Sequence, residues 1–107
     1  MEKIVITFAT AKSGVSPYLD FNSPQAAVVE VTTGPVHGLL FADTREDEVG
    51  FFLNFLHVDE ETGRPYQWVS DDPCLLWADA IGELANLAAR VGTSGFFQWL
   101  AAARQIA

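Results

Sequence analysis

The stretch Val49-Gly50-Phe51-Phe52-Leu53-Asn54-Phe55-Leu56-His57-Val58 is apolar on both faces of an extended chain. Such a strand is stable only when it pairs on both edges and is covered on both sides, so it predicts a central strand in a sheet with a further layer packed on it. The flanking segments supply the neighbours. Ile4 to Phe8 is short and β-branched, with Ile4, Ile6 and Phe8 on one face. Ala27 to Thr32 reads as a second strand that turns at Thr33-Gly34-Pro35 into Val36 to Ala42, with Pro35 at the strand start or on an edge because it lacks an N–H. Tyr66 to Val69 follows a polar turn at Asp59 to Pro65. Lys12 to Gln25, with Gly14, Pro17, Asn22 and Pro24, reads as a loop.

The pattern changes at Ser70-Asp71-Asp72-Pro73. Proline behind an Asp or Ser cap is a helix-start signal, and it predicts a helix over 73–91. Trp77, Ile81, Leu84, Ala88 and Val91 form its apolar stripe, flanked by Leu76, Ala80 and Leu87. Asp79, Glu83, Asn86 and Arg90 form the wet stripe, and Gly92 ends the helix. Residues 94–106 read either as a second helix capped by Thr93 or Ser94, favoured by Ala101 to Ala103, or as a strand through Phe96 to Trp99. The predicted class is α+β: one domain with an antiparallel sheet of four to five strands and one main C-terminal helix on a face.

The 107 residues have room for one core. Six basic against fourteen acidic residues give a net charge of −8, which argues against direct nucleic-acid or anionic-membrane binding. The apolar run Ile4 to Ala9 is followed by Ala9-Thr10-Ala11, yet it is shorter than the 7–15 or so residues a signal peptide needs. A single cysteine fits a reducing compartment, so the chain is read as cytoplasmic.

Few residues are equipped for catalysis. Thr10-Ala11-Lys12-Ser13-Gly14 lacks the upstream glycine of a phosphate loop. Cys74, just inside the predicted helix start, with His57 is the one nucleophile–base pairing on offer, and Asp71 and Asp72 beside it oppose a thiolate. His57 and Asp59, joined by His37, are the one arrangement with metal-ligand character, and two strand-end histidines read more simply as polar tips. The expectation is therefore no catalytic residue, no metal and no cofactor. A small-molecule-binding or regulatory domain, with a pocket lined by Phe51, Phe55 and Trp77, is a further alternative.

Acid is the distinctive feature. Between positions 43 and 72 stand Asp43, Glu46, Asp47, Glu48, Asp59, Glu60, Glu61, Asp71 and Asp72, opposed by Arg45 and Arg64, so this window carries seven of the eight net negative charges. Beside them, Tyr66 and Trp68 are aromatic anchors of the kind interfaces favour, and Trp68 is equally a core candidate. The turns at 43–48 and 59–61 fall at opposite ends of strand 49–58, whereas 43–48 and 71–72 have the opportunity to share an end. Asp47, Glu48, Asp59, Glu60, Glu61, Tyr66, Trp68, Asp71 and Asp72 are the candidate contacts to a basic partner protein.

The order of these features resembles small bacterial immunity proteins of polymorphic toxin systems, over about residues 26 to 101. The shared plan is visible as Val28-Val29-Glu30-Val31, Gly38-Leu39-Leu40-Phe41-Ala42-Asp43, a further strand, the helical segment Ala80 to Thr93, and Phe96-Phe97-Gln98-Trp99. The resemblance implies a strand at this last segment. It also implies a non-catalytic inhibitor that covers the basic cleft of a toxin or another nucleic-acid-processing protein. A phage-encoded inhibitor of a host defence complex has the same electrostatics, and exposed Phe and Trp on the tail leave a homodimer open.

Overall fold

The central strand, β4 (Phe51–Val58), is buried from Phe52 to Leu56 on both of its faces. The computed structural model describes residues 3–9, 19, 21–23, 25–33, 36–59 and 61–106. β1 (Lys3–Ala9), β2 (Ala26–Thr33), β3 (Val36–Thr44), β4, β5 (Pro65–Val69) and a two-residue β6 (Arg104–Gln105) form one antiparallel sheet in chain order. α1 (Trp77–Ala89) and α2 (Ser94–Ala102) fall between β5 and β6. The class is α+β, as the sequence predicts. The facing of Ile4, Ile6 and Phe8, the phosphate-loop-like segment 10–14, most of the loop 12–25, and Gly34 and Pro35 lie outside the described residues.

The pairing register sorts the sheet into two faces. Val29, Leu40, Phe55 and Trp68 line up across four strands on the helix face, with Ala27, Ala42 and Leu53 in the adjacent row. α1 lies on β2, β3 and β4 and buries Ala80, Leu84, Leu87 and Ala88, half of the eight residues of its predicted apolar face. Phe96 from α2 enters the same core, edge-on to Phe55 at 5.5 Å between ring centroids. On the other face Val28, Phe41 and Leu56 pack under Leu19 and Phe21.

Phe55 explains a glycine. A Cβ on Gly38 would stand 2.5 Å from the Leu56 carbonyl oxygen and 2.7 Å from the Phe55 ring. The ring therefore lies over the strand where only a hydrogen fits.

Two expectations about the helices need correction. The main helix begins at Trp77, not Pro73, because Cys74 is occupied elsewhere: its N–H donates to the Phe51 carbonyl and its carbonyl accepts the Phe51 N–H, both at 2.8 Å. Ser70, one of the residues expected to cap the helix, is engaged in this crossing. The Ser70 hydroxyl accepts the Leu53 N–H and donates to the Asp72 carbonyl. At the tail, helix and strand both form: Phe96 to Trp99 is helical in α2, where the resemblance implies a strand, and the strand is β6. Gly92, at φ +84°, ends the α1 region as predicted.

Gly38→Ala should lower stability by about 1–3 kcal/mol, the usual range for a methyl forced into a filled core. A urea-melt midpoint equal to that of the wild type would contradict the packing of Phe55 over Gly38.

Candidate functional site

The crossing at Phe51 and Cys74 decides which acidic turns meet. It brings the chain after β5 alongside the start of β4, so Asp71 and Asp72 share an end of the sheet with Asp47 and Glu48. Asp59 and Glu61 stand at the other end, and Glu60 lies outside the described residues.

Several of the acids already have structural tasks. Asp59 shapes the β4–β5 turn, its Oδ1 accepting the N–H groups of Glu61 and Thr62 at 2.9 and 3.4 Å. Glu48 is paired with Arg45 at 3.2 Å and with Arg104 of β6 at 3.5 Å. Asp43 is buried, and its two oxygens accept the N–H of Asn22 and of Thr44, both at 2.8 Å. It thereby ties residues 21–23 to β3. Burial pushes the Asp43 carboxyl above its ordinary value, against the backbone hydrogen bonds and Arg45 that pull it down. Trp68 packs on the core beside Phe55, at 5.9 Å between ring centroids, and Tyr66 stacks on Trp68 at 6.4 Å.

Four acids without such tasks line a groove of about 880 Å³, while Glu46, Asp47 and Glu61 lie outside it. The β5–α1 connection supplies Asp71, Asp72 and Cys74, α1 supplies Asp79, Gly82 and Glu83, and α2 supplies Trp99. Four carboxylates thus line one groove, and among the described residues no Lys or Arg lines it and none of the four has an ion pair. Four like charges along low-dielectric walls concentrate a negative potential there. The sequence reading named Asp71 and Asp72 and missed Asp79, Glu83 and Trp99. A signal was present: the two acids are spaced i,i+4 around Gly82, a residue that costs an exposed helix about 1 kcal/mol and keeps its surface open.

The alternative sites are not assembled. Cys74 sits beside Phe51 and His57 six residues further along β4, about 20 Å away at the rise of a strand. Cys74 also precedes the helix, and its thiol is pushed up by burial and by Glu83 and Asp79 rather than by Asp71 and Asp72. The His57 Nδ1–H donates to the His37 carbonyl at 2.7 Å, and the His37 ring is 4.0 Å from Glu30. Among the described residues no three His, Cys, Asp or Glu side chains are grouped to hold a metal. Phe51 and Trp77 stack edge-on at 5.2 Å, and Phe55 lies against Phe96, so these rings fill the space a ligand would take. Among the described residues no helix is long and apolar enough to cross a membrane.

No protein-family model, curated protein or solved structure matches this chain.

Asp43 gives the fold a pH signature. With its folded-state carboxyl raised above 3.8, its contribution to stability is complete below that value and is lost as pH rises through the folded pKa. Wild-type stability relative to Asp43→Asn should therefore fall with rising pH, read as paired urea midpoints from pH 3 to 7. A difference that grows with pH would contradict the burial account.

Proposed function

We propose that this chain is a non-catalytic inhibitor of the immunity-protein kind, which works in the cytoplasm by covering the basic cleft of a nucleic-acid-processing partner protein. The observation that carries this reading is the groove: four carboxylates, no opposing Lys or Arg among the described residues, and an aromatic wall at Trp99. Enzymes that bind nucleic acid meet phosphate with Lys and Arg, and an acidic surface competes for the same side chains. Such a surface acts first on the encounter rate, since complementary potentials steer association and like-charged partners are turned away. Trp99 adds a π face on which a partner's Arg or Lys can rest.

The acids divide accordingly. Asp71, Asp72, Asp79 and Glu83 contact the partner, with Asp47 nearby at the same end of the sheet. Asp59 and Glu48 shape the scaffold, Asp43 fastens a loop to it, and Glu61 stands at the far end. Trp68 packs against the core beside Phe55 with Tyr66 stacked on it, and neither lines the groove.

The test is capture of a basic protein from the host on the immobilised chain, at low salt and at about 0.5 M, where the Debye length shrinks to a few Å. The wild type and Glu61→Lys should retain the same protein at low salt, and Asp79→Lys/Glu83→Lys should slow its association at least about tenfold. Retention that ignores both salt and the groove reversal, or no captured protein at all, would overturn the proposal.

A further inference from the structure

Three large apolar side chains are left in solvent at one corner of the sheet: Val49 at 79% exposure, Leu75 at 71% and Leu76 at 64%. Single exposed leucines are ordinary, but each of these lies within two residues of the Phe51–Cys74 bridge. Local structure gains nothing from them. Leu76 occupies the N-cap of α1, where Ser, Thr, Asp or Asn would accept an orphan N–H, and it makes no side-chain cap. The sequence thus combines an uncapped helix with exposed hydrocarbon at the same position. Leu75 also lines the acidic groove, so the apolar corner and the carboxylates are continuous.

We propose that this corner is the anchor of the interface, and that its occupant is a basic amphipathic segment of the partner, with apolar side chains on Val49, Leu75 and Leu76 and Lys or Arg side chains in the groove. Charge selects this occupant. A second copy of the chain would bring Asp47, Asp71, Asp72 and Asp79 against their own kind in a molecule of net charge −8. An anionic lipid surface is repelled by the same groups. A cationic segment that also carries Leu-like side chains satisfies both parts of the surface. The division of labour follows from the physics: the carboxylates set the on-rate and its salt dependence, and the hydrocarbon contact survives salt.

This inference rests on the groove being a partner site, and the experiment separates the two. The probes are two fluorescently labelled 14-residue peptides of equal charge, one an amphipathic Lys/Leu sequence and one a Lys/Ser sequence, titrated by anisotropy at 50 and 500 mM salt. At 500 mM the Lys/Leu peptide should bind the wild type at least about tenfold more tightly than the Lys/Ser peptide. Val49→Ser/Leu76→Ser, at two corner residues outside the groove lining, should erase that advantage and leave the low-salt binding of the Lys/Ser peptide unchanged. Both side chains are exposed, so the core is untouched, and a melting temperature no lower than that of the wild type checks this, since a serine at the N-cap of α1 adds stability. Lys/Leu binding that is indifferent to this variant overturns the anchor and leaves the groove standing. Lys/Ser binding at 50 mM that is absent, or indifferent to Asp79→Lys/Glu83→Lys, overturns the groove reading and the anchor with it.

Discussion

Two hydrogen bonds of 2.8 Å between Phe51 and Cys74 determine where the chain goes once it leaves the sheet. They hold the segment after β5 against the first residue of β4 and delay the helix to Trp77. Gly50 permits the crossing: at φ +100° it adopts a conformation that L side chains rarely take, and a Cβ there would meet Pro73 at 2.7 Å. From this crossing follow the shared end of the acidic turns, the groove between α1 and α2, and the exposed corner at Val49, Leu75 and Leu76.

The fold employs its acidic residues in two distinct ways. Asp43, Glu48 and Asp59 accept backbone N–H groups or arginine, and their charge is largely committed to holding loops and turns. Asp71, Asp72, Asp79 and Glu83 line the groove with no ion pair among the described residues. A count of carboxylates does not separate the two groups, since they have the same residue types and similar spacing. Only the register of β3, β4 and β5 tells a turn-former from a surface charge.

This contrast marks how much was legible in the sequence. β4 was readable because an apolar run on both faces admits one placement, and the stripe from Trp77 to Val91 because its period matches a helix. The start of α1 was not, because Ser70-Asp71-Asp72-Pro73 is a good local helix signal that loses to a long-range pairing with Phe51. The tail was ambiguous for a physical reason: nine helical residues and a two-residue strand share it. Of the candidate site, Asp71 and Asp72 were visible as acid. Asp79 and Glu83 read as the ordinary wet face of a helix until Trp99 and the β5–α1 connection were placed beside them.

The central claim is that partner chemistry is met between α1 and α2 and not at the other acidic turn. Its most direct test is an amide and indole chemical-shift map of the ¹⁵N-labelled protein titrated with the Lys/Leu peptide. The account predicts saturable shifts at Asp71, Cys74, Asp79, Gly82 and Glu83 and at the Trp99 indole, with Asp59 to Arg64 unmoved. Shifts confined to Asp59 to Arg64, or spread evenly over the surface, would contradict it.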